Sequence, residues 1–399
     1  MNMLKALTAQ WIATLFVGGI SFLITIFIAR NLGPQAFGMY ASALAAGSML
    51  GILMDGGMRN LVLRERTRVS PHLQAIAPDL PGYVMGHALC TSSVLIFLAL
   101  LLFEDVYLRL ALATLACFLA LSLNQVTSSF KRGEGALIAD LRFQAGARTA
   151  SAVLIVLCVA LGYKEPWQIL GTWAFAGFVY LALFKSYWQV PRFHGLTKIY
   201  RAALPFMALD LAITIYFRSN LVLLNFFDVA PELIGQFAAA FRLCEAVIML
   251  TSPLSLLLFR HYRAKNYSIQ NARIHLSKLL GAAIFISIAG TFLVFIYADQ
   301  VTMLIYRQKY QDSAHMLEIM AFMLLFVLPN AMLTQAALAL DKHRVTIFAA
   351  TIVAIVTLTF NIFMIPAHGI VAAAWASVLA EALMFALMSI FLLYKTRQN

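Results

Sequence analysis

Twelve apolar runs, each about long enough to cross a bilayer core, divide this sequence from end to end. They lie at roughly 9–29, 37–57, 83–103, 108–128, 144–162, 167–187, 205–226, 235–258, 279–298, 316–338, 345–365 and 369–393. A hydrocarbon core of about 30 Å takes about 20 residues of helix. The runs are continuous rather than alternating. Lipid also requires every backbone N–H to be satisfied within the segment, so the runs predict helices. The expected fold is an all-α polytopic membrane protein with twelve transmembrane helices. The runs and their loops use nearly all of the 399 residues, which leaves no room for a catalytic domain of about 100 residues. The first run is too long for a signal-peptide core and lacks a convincing cleavage site, so it is expected to remain as a helix.

Charge gives the orientation. Only 12% of residues are charged and 62% are hydrophobic, against about 25% and about 45–50% in soluble domains. This excludes an ordinary soluble enzyme and a disordered chain. A net charge of +12 would suggest nucleic acid in a soluble protein. Here it follows the rule that cytoplasmic loops gather Lys and Arg. With the N-terminus inside, 22 of the 29 basic residues fall on inner segments. Five lie outside (Arg30, Arg109, Lys164, Arg307 and Lys309), and Arg218 and Arg242 fall within spans. Both termini are therefore expected in the cytoplasm, with membrane lipids as surroundings and no nucleic-acid partner. The basic inner linkers 59–82 and 188–204 read equally as helices in the headgroup region or as solvated loops. Cys90, Cys117, Cys158 and Cys244 sit in apolar runs without a CxxC spacing, and read as small buried hydrophobes. There is no GxxxxGK[ST] and no HExxH. No cofactor, metal or enzymatic activity is expected.

A repeat divides the chain near its middle. Pro34, Gly38, Tyr40 and Ala41 recur as Pro231, Gly235, Phe237 and Ala238 at a constant offset of 197. Each set enters the second helix of a six-helix half. Trp173-Ala174 and Trp375-Ala376 give a weaker echo. The expected domains are six-helix bundles at 1–200 and 201–399, related by a pseudo-two-fold along the membrane normal. Transporters built from such parallel repeats bind substrate between the halves.

Particular strings resemble a known family. The stretch from Ala29 through Asn31, Leu32, Gly33 and Pro34 to Gly38 and Tyr40 is similar to the first outer turn of polysaccharide (Wzx-type) flippases. So is Asp55-Gly56-Gly57 leading to Arg64-Glu65. Gly235 to Glu245 looks like the family's eighth helix, and Gly369 to Ser377 like its last. The family belongs to the multidrug/oligosaccharidyl-lipid/polysaccharide exporter (MOP) superfamily. The resemblance implies translocation of an undecaprenyl-pyrophosphate-linked oligosaccharide across the bacterial cytoplasmic (inner) membrane, in O-antigen (lipopolysaccharide) or exopolysaccharide synthesis. Polymerase and glycosyltransferases of the same pathway are the implied partners.

An ionisable side chain near the bilayer centre costs about 2.5–3.5 kcal/mol on insertion scales, so each is a functional candidate. At 1.5 Å per residue, Arg218, Arg242 and Glu245 reach similar depths. Arg218 shares a face with Thr214 and Asn225 on an otherwise apolar helix. An arginine facing a wet cavity binds phosphate through its planar fork. Arg218, Arg242 and Arg30 are therefore the candidate substrate-binding cations. The competing reading is a buried Arg218–Glu245 or Arg242–Glu245 bridge that only locks helices, and for Arg30 a snorkelling role. Glu245, Asp210 and Glu381 are candidates for coupling, or equally for helix packing. Thr214, Asn225 and Asn330 are the expected cavity lining, with Pro329-Asn330 breaking or kinking its helix. Thr14, Gly18, Ser21 and Thr25 mark a small-residue face. Asp55 and Arg59, at i and i+4, are expected to pair.

Two other readings remain at this stage. A cation-coupled multidrug exporter needs intramembrane carboxylates, and none lies in the first run. A membrane glycan polymerase needs a sizeable outer loop, and no outer loop exceeds about 20 residues. The orientation predicts that cysteines placed at Gly33 or Lys164 react with an impermeant thiol reagent from outside, while cysteines at Arg64 or Arg263 do not. The opposite labelling pattern would overturn both the orientation and the repeat.

Overall fold

The computed structural model describes residues 3–67, 77–183, 189–194, 196–264, 269–340 and 342–391. The chain is helical, with no strand among the described residues. The helices are α1 (Met3–Asp55), α2 (Met58–Thr67), α3 (Leu80–Leu102), α4 (Asp105–Gly133), α5 (Leu137–Ala160), α6 (Pro166–Leu183) and α7 (Leu196–Phe226). There follow α8 (Pro231–Ala264), α9 (Ile269–Ile296), α10 (Ala298–Tyr306), α11 (Asp312–Ala321), α12 (Leu324–Ala339) and α13 (His343–Ser389). Parts of both basic linkers, residues 68–76, 188 and 195, lie outside the described residues, as does the side chain of Thr14.

Among the described residues, seven helices are long and apolar enough to cross a bilayer, or eight if α11 and α12, bent by 47°, form one broken span. The expectation was twelve. The two numbers differ in part because α1 and α13 each count as one helix yet consist of two, separated by a break between two of the expected stretches. α1 changes course at Gly33, whose φ of 78° and ψ of 172° favour glycine. Pro34 pushes the preceding residue to extended ψ and starts the next limb with a fixed φ. α13 has its break at Gly369, three residues after Pro366.

Burial is inverted relative to a soluble protein. Phe285, Phe292 and Phe363 are 73%, 64% and 72% exposed. Asn220, Thr357, Asn361 and Glu381 are buried. Large apolar groups on the outside and polar groups within fit a solvent of hydrocarbon. The chain is a multi-pass membrane protein.

The chain forms two compact units, Met1–Leu32 with Ser42–Leu211, and Gly33–Ala41 with Ala212–Asn399. In the first, α4 packs against α2, α5 and α6. Gly177 of α6 lies so close to Ala120 of α4 that a side chain there would collide with it. Met58, Leu61, Tyr83, Phe130, Ile199 and Ala203 form a core around α2. In the second unit, α12 packs against α8, α9 and α13, with Met332, Leu333, Val353 and Met384 between them. Asn220 of α7 donates to the Ala373 carbonyl (3.1 Å) and to Ser377 Oγ (2.8 Å) on α13. Asn361 on the other limb of α13 donates to Asn220 Oδ1 (2.6 Å). Such clasps hold helices where hydrophobic burial gives no net drive.

The two copies of the repeat motif meet within the second unit, and they meet reciprocally. A Cβ on Gly38 would collide with the Pro231 carbonyl oxygen, and a Cβ on Gly235 with the Pro34 carbonyl oxygen. Proline and glycine thus recur together because each glycine admits the other copy's proline backbone. Phe37, Tyr40, Phe237, Tyr306 and Tyr310 are fully buried, and Phe37 meets Tyr310 edge-on at 6.2 Å. Gln236 accepts from Ser313 N and Oγ and donates to the Lys309 carbonyl, fixing the 307–313 turn onto α8.

The obstacle at Gly38 and Gly235 is backbone, which cannot swing aside, so even alanine must force the helices apart. Gly38→Ala and Gly235→Ala should each destabilise the detergent-solubilised protein by about 1–3 kcal/mol. Gly290→Ala, where a Cβ meets open space, should not. A thermal unfolding midpoint unchanged in both tight-site variants would refute the close packing.

Candidate functional site

Three carboxylates expected in the membrane each find a different set of partners. Glu245, on α8, is shared by two arginines. Arg218 Nη2 of α7 lies 2.7 Å from its Oε1, and Arg242 Nη1, one turn earlier on α8, lies 2.6 Å from its Oε2. The side chains are 31%, 24% and 20% exposed in the order Arg218, Arg242, Glu245. The triad carries a net positive charge. Arg218 also sits 5.9 Å from the Phe241 ring centroid, a cation–π contact that orients its guanidinium. Thr214 is half-buried on α7, and Asn225 is exposed near that helix's end. Arg30 is exposed on α1.

Glu381, on the second limb of α13, is 4% exposed. The Tyr216 hydroxyl donates to Oε1 at 3.0 Å. Asn330 Nδ2 donates to Oε2 at 2.7 Å and to the Glu381 carbonyl at 2.9 Å. These are neutral donors, and they join α7, α12 and α13. Asn330 thus directs its amide nitrogen to a carboxylate and is itself buried.

Asp210, on α7, receives Arg59 Nη2 at 2.7 Å and Asn60 Nδ2 at 3.1 Å, both from α2. The expected Asp55–Arg59 side-chain pair therefore does not form. Gly56 and Gly57, both with positive φ, turn the chain between α1 and α2. Asp55 Oδ1 then accepts the Arg59 backbone N–H at 3.2 Å as a helix cap, and the Arg59 guanidinium is directed away.

The first unit also holds a cavity of about 370 Å³ that sequence reasoning missed. Arg59, Arg132, Arg148, Asn124, Gln144 and Trp173 are among its lining residues. Arg132 and Arg148 had been counted as inner-loop charges. The signal was present at i, i+4 and i+8 spacing: Asn124, Ser128 and Arg132 on α4, and Asp140, Gln144 and Arg148 on α5. Among the described residues no cluster of His, Cys, Asp and Glu is arranged to hold a metal ion.

Known proteins give this geometry a context. The model of the polysaccharide biosynthesis protein family matches residues 4–259. No curated protein matches the chain. Among solved structures, the lipid II flippase MurJ in an inward closed conformation superposes with a TM-score of 0.80 at 13% identity. That match covers 96% of this chain and 87% of that one. An inward-facing multidrug resistance MATE-family transporter of the MOP superfamily gives 0.68 at 14% identity, covering 98% and 99%. A MOP-superfamily transporter from Pyrococcus furiosus gives 0.62 at 15%, covering 97% and 95%. At these identities the likeness is one of fold. The chain belongs to the polysaccharide biosynthesis protein family, and its fold is that of the MOP-superfamily transporters.

Proposed function

We propose that this protein is a flippase that carries undecaprenyl-pyrophosphate-linked oligosaccharide repeat units across the bacterial cytoplasmic membrane by alternating access, for O-antigen or exopolysaccharide synthesis. The observation that carries the reading is the net cationic Arg218–Glu245–Arg242 triad, in a chain whose family model names polysaccharide biosynthesis. The lipid tail of such a substrate can remain in the bilayer, but its pyrophosphate must cross about 30 Å of hydrocarbon. A phosphate oxygen and a carboxylate oxygen accept the same charge-assisted hydrogen bonds from a guanidinium. Arg218 can therefore exchange Glu245 for phosphate while Arg242 keeps Glu245 paired. Arg242 and Arg30 are the further cations proposed for the path, with Thr214, Asn225 and Asn330 as polar lining. Both termini lie in the cytoplasm in this reading.

Coupling falls to Glu381 rather than to Glu245 or Asp210. Those two hold arginines, and a proton arriving on either would strand a cation. Glu381 is held by Tyr216 and Asn330, so it can change protonation without breaking an ion pair.

Arg218→Ala leaves Glu245 with Arg242, so the protein should still insert and fold. It should nevertheless lose transport at least tenfold, read as lipid-linked repeat units stranded on the inner leaflet of cells that carry only this variant. Arg218→Lys keeps the charge but loses the bidentate fork, and should transport weakly. If Arg218→Ala instead fails to fold and Glu245→Ala rescues it, the triad is a structural bridge. Glu381→Gln should abolish gradient-driven transport while substrate binding persists. Full transport by Glu381→Gln removes Glu381 from the coupling path.

A further inference from the structure

A second cavity, of about 290 Å³, lies among α10, the turn that follows it and the start of α11, all within the second unit. Its lining includes Asp299, Thr302, Met303, Arg307, Gln308 and Gln311. Asp299 and Arg307 stand at opposite ends of α10, about 12 Å apart along its axis. Neither makes an ion pair among the described residues. Thr302 is 2% exposed, and its hydroxyl finds no hydrogen-bond partner among the described atoms. A buried hydroxyl left unpaired is costly, and a ligand atom in the cavity would satisfy it.

Arg307 is unusual in its backbone as well. Its φ of 67° and ψ of −174° fall in a region essentially reserved for glycine. Glycine would hold this turn with less strain, so the turn itself does not account for an arginine. The turn is also fixed in place. Gln236 ties it to α8 through the Lys309 carbonyl and Ser313, and Tyr310 meets Phe37 edge-on.

These features select a ligand. One acidic and one basic side chain line the cavity, so their charges sum to zero and suit a zwitterion better than an anion. A guanidinium binds phosphate through its fork of donors, and a carboxylate accepts charge-assisted hydrogen bonds from a primary ammonium. A quaternary ammonium has no N–H to give. Ligand pockets run from about 300 to 1,000 Å³, so this volume admits a head group and leaves acyl chains outside. The chains have a surface to follow. α10 buries Ala298, Thr302 and Tyr306 on one face, while Met303 and Leu304 are 56% and 77% exposed. Met303 also lines the cavity, so the polar site adjoins the apolar face, as on a helix lying in the plane of the membrane surface. With the sides as the sequence assigns them, α9 rises to the outer face and α10 lies there.

We propose that this cavity binds the phosphoethanolamine head group of an outer-leaflet phospholipid, with Arg307 and Thr302 on the phosphate and Asp299 on the ammonium. The site is independent of the flippase reading, and only its leaflet follows from the orientation.

Native mass spectrometry of the full-length protein released from detergent micelles counts bound lipid directly. Phosphatidylethanolamine should bind at about tenfold lower concentration than phosphatidylcholine or phosphatidylglycerol, the worth of one charge-assisted hydrogen bond. Arg307→Gly should erase that preference while the thermal midpoint in lipid-free micelles holds or rises, because glycine relaxes the turn. Asp299→Asn keeps the shape and removes the charge. It should bring phosphatidylethanolamine level with phosphatidylcholine and favour phosphatidylglycerol, and it serves if Arg307→Gly does not fold. Equal binding of the three lipids, or an intact preference in either variant, overturns the site. A preference of the unaltered protein for phosphatidylglycerol overturns the zwitterion assignment. Soluble phosphoethanolamine should not displace the lipid at equal concentration; displacement assigns the cavity to a soluble phosphoamine and overturns the lipid as its occupant.

Discussion

Hydrocarbon offers no hydrogen bonds, so a polar group that goes into the membrane must find its partner within the protein. The described structure follows from that requirement. Backbone groups meet it by forming helices. Side chains meet it by long-range pairing, as Asn220 does with Ala373, Ser377 and Asn361. The aliphatic and aromatic residues that would fill a soluble core are free to face outward, and Phe285 and Phe363 do so. Helix packing then depends on small residues that let backbones approach. The buried alanines of α8 and α13 (Ala238, Ala239 and Ala240, and Ala372, Ala373 and Ala374) are the local result.

The same requirement gives the repeat motif its meaning. A Pro-x-x-x-Gly pattern on one helix is a common start of a limb. Two copies become a device when each glycine receives the other's proline carbonyl, as Gly38 and Gly235 do. The contact is symmetric in kind, and the buried ring cluster of Phe37, Tyr40, Phe237 and Tyr310 surrounds it.

What the sequence disclosed depended on how local the interaction was. Apolar runs located the helices because composition along a short window suffices. They also placed the divisions within α1 and α13, where the backbone leaves helical geometry at Gly33 and Gly369. Arg242 and Glu245 were legible as a pair, being i and i+3. The bond from Arg218 to Glu245 could be framed only as one of two outcomes, since equal depth does not fix which helix faces which. Arg59 shows the limit of the local rule. Its i−4 neighbour Asp55 was the natural partner, but two glycines turn α2, and the guanidinium finds Asp210, 151 residues away. The cavity was hidden for a different reason. Counting Arg132 and Arg148 as loop charges gave a correct sense of which segments are basic, and obscured that both lie on helix walls.

The three carboxylates allow the proposed roles to be separated on charge alone. Removing an arginine's only anion inside a low-dielectric region leaves a charge whose desolvation nothing offsets. Asp210 has one arginine, Arg59, beside the neutral Asn60 amide, so opening that pair leaves the carboxylate without its arginine. Glu245 has two, so either can leave while the other stays. That redundancy is what a transient phosphate ligand requires, because the cation that meets the substrate must be releasable without stranding its acid. Glu381 has Tyr216 and Asn330, which can hydrogen-bond to a neutral or an ionised carboxyl. A group whose partners tolerate both states can carry a charge that comes and goes. The proposal of anchoring at Asp210, exchange at Glu245 and coupling at Glu381 rests on the number and charge of the partners each acid is given.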